Sequence, residues 1–147
     1  MFSKSIIAVY VLSAVIIATA IIYFIVASQE YNDLIEFLEV GIQGETQEKN
    51  VEIALFVGAG IVYLGLLVWI LKTKVKTSIP YVVVAAVSVV LIATYLASRT
   101  IGVPIVGVEY YVGRLDMASK VLQVIIIGIS LYLILAARKT LIKESVR

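Results

Sequence analysis

The chain has 147 residues, a net charge of +2, 62% hydrophobic residues and 15% charged ones, against about 45–50% and 25% in soluble domains. A soluble fold of this size has no interior large enough for so much apolar surface, so the composition points to an integral membrane protein. Cysteine and histidine are both absent, which excludes disulfides, thiolate or imidazole metal sites, cysteine nucleophiles and the usual general base.

The first apolar run is Ser5–Ala27, uncharged throughout. As a helix it covers about 34 Å, enough to cross a hydrocarbon core of about 30 Å. It is longer than the core of a signal peptide, and it reads as an anchor that stays. A connection rich in acids follows, holding Glu30, Asp33, Glu36, Glu39, Glu45, Glu48 and Glu52 against Lys49. Within it, Tyr31, Leu34, Ile35 and Leu38 recur at helical spacing. That spacing predicts a short amphipathic helix, with Gly41 and Gly44 as stop signals. Its acids have two readings, a solvated face or a docking and cation-collecting surface. No D-x-D-x-D-G loop is present to favour calcium.

Ile53–Leu71 forms the second run, and its Ala54 and Gly58 have the small-xxx-small spacing of closely packed membrane helices. The turn KTKVKT is short, so the third run, Thr77–Ser98, must return antiparallel to the second. Run length decides for helix over strand, despite the valine and isoleucine content of these segments. The next connection, Arg99–Lys120, carries Gly102, Gly107, Gly113 and Pro104 and is turn-rich. It is apolar for a loop, and Ile105, Val108, Tyr110 and Tyr111 need cover from the membrane interface or another protein. The stretch VEYYVG is rich in strand formers and predicts a short hairpin. Arg99, Glu109, Arg114 and Asp116 can form opposite-charge pairs that pin the loop. The fourth span is expected over Met117–Ala137, with Lys120 reaching outward to headgroups.

Charge orients the spans. The two end segments and the KTKVKT turn carry eight basic residues against one acid, and the two long connections carry four against nine. The positive-inside rule puts both termini in the cytoplasm of a plasma-membrane protein and both long connections outside. Because the basic residues flank spans, they argue for topology and not for nucleic-acid binding. The expected architecture is all-α: an integral membrane four-helix bundle, termini inside, with spans at about 5–27, 53–71, 77–98 and 117–137. Tyr23, Trp69, Tyr81 and Tyr95 lie toward span ends, where interface anchors belong. Tyr10, Tyr63 and Tyr132 lie deeper, where their hydroxyls need partners on neighbouring helices.

None of the four apolar runs, the fourth counted from Val121 to Ala137, contains an acid or a base, whereas transporters and proton pumps commonly keep one there. The interior polar residues are Ser13, Thr19, Ser88, Thr94, Gln123 and Ser130, all neutral and suited to helix packing. A non-catalytic subunit of a larger membrane complex fits this inventory best. A small homo-oligomeric transporter or channel is the alternative, and small multidrug exporters of similar length rely on a membrane carboxylate that is missing here. An enzyme would have to work without a recognisable nucleophile–base pair. The expected partners are other membrane subunits and lipid, with no cofactor in this chain. The expected partner contacts are Tyr31, Leu34, Leu38, Ile105, Val108, Tyr110, Tyr111 and Arg114, and Ala54 and Gly58 are the expected helix-packing pair.

The segment SRTIGVPIVGVEYYVGRLDMASKVLQ resembles a pattern in small four-helix prokaryotic membrane proteins. The whole chain resembles an accessory subunit of the archaeal ammonia monooxygenase, a copper membrane monooxygenase. That resemblance implies a trimeric complex in which other subunits hold copper. This chain would then scaffold, seal against lipid or shape access to them. Lacking histidine, it takes over no copper-site residue.

Overall fold

The computed structural model describes residues 2–41, 46–102, 108 and 113–145, with side chains described for 4–138 of these. Four helices make up the fold: α1 (Phe2–Val40), α2 (Thr46–Thr73), α3 (Ile79–Thr100) and α4 (Arg114–Ser145). A 3-10 turn, Lys74–Lys76, joins α2 to α3. All four helices are long and apolar enough to cross a membrane. No strand occurs among the described residues. The expected VEYYVG hairpin falls largely outside them.

One expectation needs correction. The amphipathic segment is not a separate helix but the continuation of α1, which runs unbroken for 39 residues. Between Ser28 and Val40 there is no glycine or proline, so nothing interrupts the i→i−4 bonds when the apolar run ends. Helix α1 ends where expected, at Gly41, whose φ of +80° is the left-handed end conformation that glycine adopts without strain. Gly44, the second expected stop, lies outside the described residues. Gly102 plays the same part after α3: φ is again +80°, and its amide bonds to Ala97 O at 3.0 Å.

Asp116 starts α4. Its carboxylate accepts the Gly113 amide at 3.3 Å, and Gly113 O accepts the first helical bond from Met117 N at 3.2 Å. This is the reach-back half of a capping box. At the other end of the bundle, Pro80 sits in the first turn of α3, where its missing N–H costs no bond. The buried Tyr81 hydroxyl donates to Lys74 O and fixes the turn.

Helix α1 lies between α2 and α4, and α4 packs on α3. The antiparallel neighbours α2 and α3 are joined by the shortest connection, yet they touch least of the adjacent pairs. Leu12, Ile16, Ile70, Val84, Ile126 and Leu133 form the centre of the core. Large apolar side chains also cover the outside, among them Ile7, Ile61, Val90, Val124 and Leu135. Apolar residues on every side are what a helix surrounded by protein and lipid carries. Close approach within the bundle occurs between α1 and α2 at Gly60, where a Cβ would lie 2.8 Å from the Phe24 ring. At Gly58 a Cβ would meet nothing within 4 Å, so this chain makes no tight crossing at the Ala54–Gly58 pair.

Candidate functional site

Most neutral polar residues inside the spans are satisfied in one of two ways, while the buried Ser130 hydroxyl and the Gln123 amide oxygen have no hydrogen-bond partner among the described residues. Ser13 and Thr19 donate to the carbonyls of Val9 and Val15, each at 2.8 Å, and Thr94 donates to Val90 O at 2.9 Å. These bonds hide hydroxyls within their own helix. The second way is a chain of bonds that ties all four helices together. The Gln123 amide on α4 donates to Tyr23 on α1 at 2.7 Å and to Tyr63 on α2 at 3.2 Å. Tyr63 in turn meets Ser88 on α3 at 2.9 Å. Ser88 donates to Val84 O at 2.8 Å, so its oxygen accepts from Tyr63. The Tyr23 and Tyr63 rings stack, with centroids 6.0 Å apart.

Tyr63 thus finds the neighbouring partners expected of it. Tyr23 and Tyr81 correct the interface-anchor reading, since both are buried inside the bundle. Trp69, Tyr10 and Tyr132 face outward.

Above this network, toward the acid-rich end, lies a cavity of about 350 Å³, within the range of small-molecule sites of about 300–1,000 Å³. Its lining combines apolar residues, among them Ile22, Val26, Phe56 and Leu91, with the charged Glu30, Glu52, Arg99, Asp116 and Lys120. Lys49 bridges α1 to α2, with its ammonium 2.5 Å from Glu30 and 3.1 Å from Glu52. It lies before the uncharged run. Burial disfavours its charge, but the two carboxylates outweigh that and raise its proton affinity. Arg99 bonds Asp116 at 3.3 Å and lies over the Tyr95 ring at 4.9 Å, joining α3 to α4.

Lys120 does not reach outward as expected. Its ammonium turns into the cavity, 3.4 Å from the Tyr23 hydroxyl and 4.9 Å from the Tyr95 ring centroid. The rings of Tyr23 and Tyr95 face the cation and offset part of its lost hydration.

The expected contact residues fall in several places. Tyr31 (53% exposed) and Leu38 (52%) are open on α1 beyond its apolar run, whereas Leu34 (6%) is packed within the chain. Val108 and Arg114 are exposed. Ile105, Tyr110 and Tyr111 lie outside the described residues. Of the expected loop pairs, Arg99–Asp116 forms, and Glu109 is outside the description. Ala54 and Gly58 come together on a groove of about 570 Å³ between α2 and α3, lined wholly by apolar residues.

Reading the residues one at a time missed the cavity. The signal was the set Asp116, Ser119, Lys120 and Gln123, spaced i, i+3, i+4, i+7 on one face of α4. Tyr95 and Arg99 add an i, i+4 pair on α3.

The arrangement provides charge and hydrogen bonds for binding. Among the described residues no group of three or more acids could hold a metal ion. The chain matches no protein-family model, no curated protein and no solved structure.

Proposed function

We propose that this chain is a non-catalytic subunit of a larger multi-subunit membrane assembly, inserted in the plasma membrane with both termini cytoplasmic. The observation that carries this reading is the open apolar stripe on the acid-rich end of α1. Tyr31, Ile35 and Leu38 are all exposed there, spaced one turn apart and flanked by Asp33, Glu36 and Glu39. The stripe suits a partner subunit that presents apolar residues framed by lysine or arginine. The neutral span interiors support the same reading, because Gln123, Tyr63 and Ser88 are engaged in tying helices together and Ser13, Thr19 and Thr94 bond within their own helices. A copper membrane monooxygenase, whose accessory subunit the whole chain resembles, would be one such assembly, with its metal in the partner chains.

Extraction of the native membrane in mild detergent tests the proposal, followed by a native gel and mass spectrometry of the band. The expected result is co-migration with larger membrane subunits, lost on replacing Tyr31 and Leu38 by Ser. Migration alone or as a small homo-oligomer contradicts it.

A further inference from the structure

The apolar groove and the charged cavity are parts of one surface. Leu55, Ala59, Val90 and Leu91 line both. One compartment is wholly apolar and opens between α2 and α3, and the other ends in charge. We infer that together they bind a single-chain amphiphile with a monoanionic head, the head at Lys120 and the chain in the α2–α3 groove. This inference is independent of the subunit reading.

Charge pairing selects the head. Lys49 holds Glu30 and Glu52, and Asp116 holds Arg99 while capping α4. Among the described residues Lys120 makes no salt bridge; its contacts are the Tyr23 hydroxyl and the rings of Tyr23 and Tyr95. A half-buried ammonium of this kind is completed by an anion. On the same wall, the Tyr95 hydroxyl is enclosed with no hydrogen-bond partner and can donate to that anion. The charges of Glu30, Glu52 and Asp116 balance those of Lys49, Arg99 and Lys120. The head is therefore selected locally, by the one ammonium on the cavity wall that makes no salt bridge among the described residues, and one ammonium matches one negative charge. The Glu30 and Glu52 carboxylates, which also line the cavity, disfavour a dianionic head such as a phosphate monoester.

Small residues shape the chain's path. Ala54, Gly58 and Ala86 line the groove and leave it open where α2 and α3 part. The groove faces the apolar exterior, so a chain enters from the side without crossing the charged end.

Binding is measured by native mass spectrometry and calorimetry on the full chain in dodecyl maltoside. The probes are hexadecanoate, hexadecan-1-ol, hexadecylamine and hexadecyl phosphate. Hexadecanoate should bind saturably, one per chain, and about tenfold or more tighter than the alcohol, as expected for a charge-assisted hydrogen bond. Lys120→Met should erase that preference, and Lys120→Arg should keep it. Gly58→Leu, at a position where a Cβ meets nothing within 4 Å, narrows the groove and should weaken hexadecanoate severalfold while leaving octanoate unchanged. Equal binding of the alcohol or the amine, or a preference that survives Lys120→Met, overturns anion recognition at Lys120. A preference for the phosphate overturns the monoanionic head. An unchanged hexadecanoate affinity in Gly58→Leu overturns the chain's path, and absence of saturable binding by any probe overturns the site.

Discussion

Tyr63→Ala should destabilise the bundle by about 3 kcal/mol, near the low end of what removing a buried aromatic side chain costs in a soluble core. Tyr63 is completely buried, stacks on Tyr23 and bonds both Gln123 and Ser88. Truncation opens a cavity among α1, α2 and α3 and leaves two polar groups short of partners. In lipid the water-transfer part of the penalty is absent, but the lost packing contacts remain, which sets the value at the low end. Tyr63→Phe keeps the ring and removes only the hydroxyl. Hydrogen bonds between membrane helices average about 0.6 kcal/mol and reach about 1.7, so the Phe variant should lose about 1 kcal/mol or less. Reversible unfolding in mixed micelles resolves the two. Equal losses in both variants would mean that the hydroxyl, and not the ring, does the holding.

Gly60→Leu should cost about 1–3 kcal/mol through overpacking, while Gly58→Leu should be close to neutral. The two glycines are two residues apart on α2 and face different surroundings. At Gly60 even a Cβ would lie 2.8 Å from the Phe24 ring, and a longer side chain must displace that ring or push α1 and α2 apart. Beyond Gly58 lies the open groove. The same unfolding assay checks both, with Phe24→Ala added to Gly60→Leu as a rescue that should recover most of the loss. A costly Gly58→Leu, or a Gly60→Leu as stable as the parent, would reverse this assignment of the tight crossing.

The four helices were legible because uncharged runs of about 20 residues leave no other backbone solution in lipid. Their order around the bundle was not legible. Ile7, Ile61, Val90 and Val124 face outward and are as apolar as Leu12, Ile70, Val84 and Ile126 inside, so periodicity does not mark an inner face. The small-xxx-small rule pointed to Ala54 and Gly58. The tight crossing is at Gly60, because spacing alone does not say which face of α2 meets α1.

Tyr23 and Tyr81 were read by depth as interface anchors. What places them inside is their partners: Gln123, a hundred residues along the chain from Tyr23, and Lys74, across a turn from Tyr81. The cavity was legible only in part. Asp116 and Lys120 stand out individually as a loop acid and a flanking lysine. Their shared face with Ser119 and Gln123 appears once α4 is taken to begin at Arg114, ahead of its apolar run.

The subunit proposal places the acid-rich end of the bundle, with its open α1 stripe, outside the cell and the KTKVKT turn inside. The absence of native cysteine allows a clean test. Gln47→Cys, at the exposed start of α2, and Thr73→Cys, at its other end, are labelled in intact cells with a membrane-impermeant thiol reagent. Labelling of Gln47→Cys in intact cells, with Thr73→Cys reacting only after the membrane is opened, is the predicted result. The reverse pattern, or equal labelling of both before lysis, would contradict the orientation and the partner surface proposed with it.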